Sequence, residues 1–195
     1  MKPSNPHKYI LTFSWLFILA ALAGKGAFAQ NAPTVTQHPY TPSDNGSEIR
    51  FAIRNMGFRV TGSFAGLQGS VRFDPANPAT ASFNITVDAA TVNTDNSMRD
   101  EHLKASGYFD VSKYPHISFV SSKVTASNKR DTWMVTGQLT IRDHTKELSF
   151  PFTATATNGG WLFKAAFPLN RRDFEVGGAS IISDQLDATL NIFAK

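Results

Sequence analysis

The sequence predicts an all-β domain, an eight-stranded antiparallel up-and-down barrel with one short capping helix. Three observations carry this. Apolar side chains recur at every second position through eight segments, turn residues stand between those segments, and a single stretch departs from the pattern toward helical spacing.

The segments follow in order. Ile49, Phe51 and Ile53 alternate with Arg50, Ala52 and Arg54; Val71 and Phe73 alternate with Ser70 and Arg72. Phe83, Ile85 and Val87 alternate with Ser82, Asn84 and Thr86, and Ile117 and Phe119 enclose Ser118. Trp133, Val135, Leu139 and Ile141 form the fifth set, Leu148, Phe150 and Phe152 the sixth, and Trp161, Phe163, Phe167 and Leu169 the seventh. Leu186, Leu190 and Ile192, spaced by Asp187, Thr189 and Asn191, form the last. Successive side chains of a strand point to opposite faces, so each set marks a strand with one buried and one solvated side. Turn signals lie at Asp74-Pro75 with Asn77-Pro78, Ser127-Asn128-Lys129, Asp143-His144 and Asn158-Gly159-Gly160. The last three connections are short, which pairs neighbouring strands antiparallel as a meander.

From Asn96 to Ser106 the chain reads as a short helix, with Ser97 as N-cap, Asp100 three residues later and Gly107 as the stop. Met98, His102 and Ala105 share one face of it. Eight amphipathic strands are compatible with a two-sheet sandwich or a closed barrel, and closure is favoured because it removes exposed edges. A barrel of eight strands is just wide enough to be filled by its own side chains or to hold one small ligand. The pattern alone does not distinguish these.

The first residues stand apart from this domain. Lys2 and Lys8 precede an apolar run from Ile10 to Ala23, and Ala27-Phe28-Ala29 has the small-x-small pattern of a cleavage site. Residues 1–29 are therefore expected to be a secretory signal peptide and residues 30–195 the mature domain. The run is 14 residues long and carries Thr12 and Ser14, short of the ~20 apolar residues of a membrane span. Cysteine is absent, which excludes disulfides and a lipid-modified N-terminal cysteine. The whole chain has 19 Lys+Arg and 15 Asp+Glu, but three lysines fall within the signal, leaving 16 against 15. With no basic stripe and Arg171-Arg172 followed at once by Asp173, no nucleic-acid partner is expected.

Several motifs resemble the YceI-like, polyisoprenoid-binding family. They begin at Ser47-Glu48-Ile49-Arg50-Phe51 and Val60-Thr61-Gly62-Ser63-Phe64, and continue through Phe73-Asp74-Pro75 and Met98-Arg99-Asp100-Glu101-His102-Leu103-Lys104. The most specific is Tyr108-Phe109-Asp110-Val111-Ser112-Lys113-Tyr114-Pro115-His116-Ile117-Ser118-Phe119; Gly137-Gln138-Leu139-Thr140-Ile141 and Arg172-Asp173-Phe174 complete the set. The resemblance implies a lipocalin-like barrel whose apolar interior holds an isoprenoid or similar chain, in a protein exported to the bacterial periplasm. Two positions depart from the family's usual glycines, Asp143 and Glu175, and altered loops at a mouth of the barrel are expected there.

On that resemblance, the inward positions Phe51, Ile53, Phe83, Ile85, Ile117, Phe119, Trp133, Val135, Phe150, Phe152, Phe163 and Phe167 are expected to line a lipid tunnel. Arg172 is the expected headgroup contact at its mouth, and Arg171 a surface ion pair. The expected role is a carrier for a long apolar lipid, an isoprenoid quinone or polyprenyl chain. The alternatives are a structural or stress-response barrel with a filled core, and an enzyme acting on a bound lipid.

Chemistry finds little support. Asp100 and His102 are two apart on a helix and point to different faces. His38, His102, His116 and His144 lack zinc-motif spacing and there are no thiolates, so no metal and no cofactor are expected. No G-x-S-x-G elbow occurs, and Gly177-Gly178-Ala179-Ser180 reads as a turn. Asn84-Ile85-Thr86 is a glycosylation sequon in form only, inside a strand.

Overall fold

The computed structural model describes residues 38–195; the expected signal peptide lies outside the described residues. The eight strands are β1 (Pro42–Asn55), β2 (Phe58–Arg72), β3 (Ser82–Asn93), β4 (His116–Ala126), β5 (Thr132–Ile141), β6 (His144–Thr157), β7 (Gly160–Asn170) and β8 (Ile182–Ala194), with one helix, α1 (Ser97–Lys104), between β3 and β4. Each strand pairs antiparallel with its sequence neighbours and β1 closes on β8, giving a closed up-and-down barrel. All eight period-two segments lie within these strands or at their ends.

One strand is longer than its alternation suggests. β2 begins at Phe58, yet only its end shows period two, because register shifts at Ala65 and between Ala65 and Gln68 break the pattern. These bulges bend a strand too long to stay straight in a small barrel. Gly66 takes φ +73° at the bend. The amides freed from the ladder are satisfied by side chains: Gly66 and Leu67 donate to the Asp44 carboxylate at 3.0 and 2.9 Å, and Ala65 donates to Thr91 Oγ1 at 2.8 Å.

The helix differs in detail from expectation. Its N-cap is Asn96, whose side-chain oxygen accepts from the Arg99 amide at 3.0 Å, and not Ser97; it ends at Ala105, with no role for Gly107 as its cap. Asp100 instead reaches back to Thr94, accepting from its amide (2.8 Å) and its hydroxyl (2.6 Å). Met98, His102 and Ala105 are exposed; Leu103 is the helical side chain that meets the barrel interior. Among the described residues no helix is long and apolar enough to cross a membrane.

The connections sort by end. The short β1–β2 turn, the β3–β4 connection carrying α1, the β5–β6 turn and the β7–β8 connection all lie at one end of the barrel; the other three connections lie at the opposite end. The second end is closed by packing. Phe73, 1 % exposed, stands edge-on to Trp133 (5.0 Å between centroids), Trp161 (5.1 Å), Phe163 (5.3 Å) and Phe152 (5.9 Å). Perpendicular contacts of this kind suit the positive edge and negative face of aromatic rings, and they make this end a floor.

Candidate functional site

Above the floor the barrel is hollow. A cavity of about 250 Å³ begins over Phe83, Phe152 and Phe163 and extends past Phe119, Phe150 and Phe167 to Leu103, Tyr108, Phe109, Val176 and Ile182 at the connection-rich end. Alternation produces this wall. On β5, for example, Val135, Leu139 and Ile141 face in, while Gln138 and Thr140 face out and pair across to β6. Phe119 tilts on Phe150 at 5.5 Å, and Phe150 stacks on Phe167 from the neighbouring strand at 3.9 Å. Side-chain carbon makes up nearly the whole lining, so the space favours an apolar occupant over water.

The expected lining residues Phe51, Ile53, Phe83, Ile85, Ile117, Phe119, Val135, Phe150, Phe152, Phe163 and Phe167 all border the cavity. Trp133 does not: it points inward, but at floor level against Phe73, where the interior is solid. Tyr108, Phe109, Phe174 and Val176 border the cavity from connections, where no periodicity marks them. Phe174, 1 % exposed, and Val176 pack on Leu139 to form the upper rim.

The two arginines exchange the places expected of them. Arg171 is no surface ion pair: it is 4 % exposed and borders the cavity. Its guanidinium donates to the carbonyls of Val176 (2.8 Å), Gly178 (3.0 Å), Ile182 (3.0 Å), Ser183 (3.1 Å) and Ser180 (3.4 Å), and to Asp184 Oδ1 (2.9 Å). Its donors are thereby committed to the chain, which folds the 176–184 segment around them. Arg172 lies outside the cavity, half exposed, with Nε 2.9 Å from Asp184 Oδ1. The sequence held a signal for this: Arg171 follows Phe167 and Leu169 at the inward parity, and Arg172 has the outward one.

Asp143 and Glu175, the two positions that depart from what the resemblance implies, meet at this end across His144. His144 Nε2 lies 3.3 Å from Asp143 Oδ1 and 3.4 Å from Glu175 Oε2. Tyr114 donates to Asp143 Oδ2 at 2.8 Å, and Arg142 donates to the Glu175 carbonyl at 2.7 Å. The Tyr114 hydroxyl, followed by backbone donation, holds the Asp143 carboxyl below its ordinary range. Lys113, over the Tyr114 ring at 4.8 Å, is raised through that tyrosine. His102 is elsewhere, edge-on to Tyr108 at 4.8 Å. Among the described residues no group of three or more histidine, cysteine, aspartate or glutamate side chains is arranged to hold a metal ion.

Comparison with known proteins agrees with this architecture. The model of the YceI-like domain matches residues 40–194. A UPF0312 protein of Pseudomonas savastanoi pv. phaseolicola is 30% identical over 150 residues, covering 73% of this chain and 78% of the relative. The UPF0312 protein plu2095 of Photorhabdus laumondii is 34% identical over 124 residues, 62% of this chain and 64% of that protein. Among solved structures, Burkholderia cenocepacia BcnA superposes with a TM-score of 0.73 at 26% identity, covering 77% of this chain and 98% of BcnA. A polyisoprenoid binding domain from Saccharophagus degradans, implicated in plant cell wall breakdown, shares the fold with a TM-score of 0.65 at 12% identity, covering 80% and 97%.

Proposed function

Because the chain belongs to the YceI-like family, and because its barrel is hollow above a closed floor, we infer that it binds and carries a long apolar lipid. The ligand class is an isoprenoid quinone or polyprenyl chain, with its tail in the barrel and its polar head at the connection-rich end. The observation that carries this reading is the cavity. A sealed, unfilled void destabilises a core by about 24 cal/mol per Å³, which sets an upper bound on the order of 6 kcal/mol for 250 Å³ that opens at a mouth. That is comparable to the whole stability of an ordinary domain. An apolar chain restores the missing contacts, and a purely structural barrel gains nothing from the void.

The volume also constrains the mode of binding. It falls just short of the ~300–1,000 Å³ of small-molecule pockets. One stretch of a long chain fits within it, and the remainder passes out through the mouth. The action proposed is passive, burial without reaction, in an exported protein of the periplasm whose mature N-terminus is Gln30; intact mass of the exported form checks that terminus.

The test of function is organic extraction of protein purified gently from its native host, followed by mass spectrometry. A long apolar lipid approaching one per barrel is expected. Phe119→Leu and Phe163→Leu keep the wall apolar while changing its shape, and should shift the lipid profile of folded protein. Wild-type protein that carries no lipid would overturn the reading.

A further inference from the structure

The end of the barrel that holds the mouth also holds most of the large apolar side chains left in water. Met56, Phe58, Met98 and Ile181 are 73, 77, 83 and 75 % exposed. All four lie at that end, Met98 on α1, Ile181 just before β8, and Met56 and Phe58 on either side of Gly57 where β1 turns into β2. The turn and Ile181 are neighbours, since Asn55 pairs with Phe58 on one side and with Ile182 on the other. Adjacent strands lie ~4.8 Å apart, so these side chains project from an edge about 10 Å wide.

The charges around this tip are arranged against the sheet's own interest. Arg54 and Arg59 are direct cross-strand partners. Like charges placed opposite each other destabilise an antiparallel pair. Neither makes an ion pair or a side-chain hydrogen bond among the described residues, and residues 54–59 contain no acid. Both border a shallow groove of about 320 Å³ on the outer wall, lined also by Pro168, Ser183, Gln185 and Asp187; Asp187 is its single carboxylate. Two unpaired arginines beside exposed apolar tips match a surface with anionic phosphates outside and hydrocarbon beneath.

We propose that this tip docks the barrel on an anionic lipid bilayer: Arg54 and Arg59 take lipid phosphates, while Met56, Phe58 and Ile181 enter the interface. Docking there sets the mouth of the cavity against the membrane, so that a lipid tail passes between bilayer and barrel without crossing water. A protein partner fits less well, because a stable protein interface needs some 20–30 residues a side and this tip offers a handful.

The purpose of the docking rests on the carrier reading, but its test does not. Exported protein is mixed with vesicles of phosphatidylglycerol and phosphatidylcholine, or of phosphatidylcholine alone, and sedimented. Wild type should pellet with the anionic vesicles and be released by salt. R54Q/R59Q should lower the partition coefficient about 30-fold, from the usual contribution of each arginine near an anionic surface. Phe58→Ser should lower it about tenfold, with circular dichroism unchanged. K129Q/R130Q removes the same charge from the turn at the floor end and should leave sedimentation within about twofold of wild type. Equal losses from both double variants, indifference of wild type to anionic vesicles, or a dimer in light scattering that Phe58→Ser abolishes would each overturn the proposal. Protein that yields lipid on extraction yet ignores vesicles fails the docking proposal alone; protein that binds vesicles but carries nothing fails the carrier reading alone.

Discussion

Replacing Gly62 with alanine tests directly whether the interior yields. Gly62 is buried on β2, and the Phe51 ring of β1 lies across it. A Cβ at this position would stand 2.6 Å from Phe51 Cε1 and 2.9 Å from Thr94 Cγ2, where ordinary contact begins at 3.4 Å. The ring edge must therefore retreat by about 0.8 Å at least. Thr94 does not give way easily, being 5 % exposed with its hydroxyl tied to Asp100. The free direction is the lumen, which Phe51 borders. Overfilling a packed core costs about 1–3 kcal/mol, whereas alanine in place of a strand glycine returns about 0.5–1 kcal/mol. With empty space behind the ring, the net change in unfolding free energy should stay within about 1 kcal/mol, read from the urea midpoint at constant slope. The ring should then displace ligand, lowering the lipid recovered per barrel. Adding Phe51→Leu should restore that lipid, with a coupling between the two substitutions above about 0.5 kcal/mol. A loss near 3 kcal/mol with unchanged lipid would mean a wall packed tight on its inner side, and would refute the reasoning.

Other substitutions probe the floor, the rim and the polar cluster. Phe73→Leu removes the plug's central ring, should cost on the order of 1 kcal/mol, and should shift the extracted lipids toward greater chain length. Arg171→Met takes the donor from five backbone carbonyls while Asp184 keeps Arg172, so at about 1–3 kcal/mol for each carbonyl left buried and unsatisfied a loss of about 3 kcal/mol or more is expected, with faster amide exchange from residue 176 to 184. Arg172→Gln, at a half-exposed pair, should change stability by less than about 1 kcal/mol in the same urea titration. Because Tyr114 depresses the Asp143 carboxyl, the stabilisation from their hydrogen bond is present above the ordinary value of 3.8 and is lost as pH falls through the lower folded value. Tyr114→Phe should move the carbon-detected titration of Asp143 upward toward 3.8; no movement would contradict the hydrogen bond.

Which side of the barrel a residue faces was legible in the sequence; its height in the barrel was not. Trp133 and Val135 obey the same parity on β5, yet the first belongs to the solid floor and the second to the cavity wall. Height depends on strand stagger, which pairing across eight strands sets and no single segment records. β2 was obscured for a different reason: its bulges shift the parity midway, so its apolar residues do not repeat at a fixed interval. The N-cap moved by one residue because Asn96 and Ser97 both have a side-chain oxygen able to cap a helix, and local backbone geometry decides between them. The rim residues Phe174 and Val176 lie in a segment shaped by Arg171, a contact that closes only in three dimensions.

The mouth has two unlike sides, and the barrel order says how they are arranged. The β1–β2 turn has exposed apolar side chains between unpaired arginines, and the β5–β6 turn lies four strands away around the closed sheet. That far side is hydrophilic: Tyr114, Asp143, His144 and Glu175 join in one cluster, with Arg142 clasping the Glu175 carbonyl. Glu175 holds φ at +52°, a conformation that costs a non-glycine residue about 1 kcal/mol or more and that a glycine would adopt freely. The carboxylate beside His144 and the hydrogen bond from Arg142 offset part of that cost locally. Asp143 and Glu175 thus contribute to a polar rim opposite the apolar tip, while the wall between them stays hydrocarbon from mouth to floor. A ligand seated in such a barrel meets apolar surface along its tail and hydrogen-bonding groups on one side of its exit, the asymmetry that an amphipathic lipid with a single polar end requires.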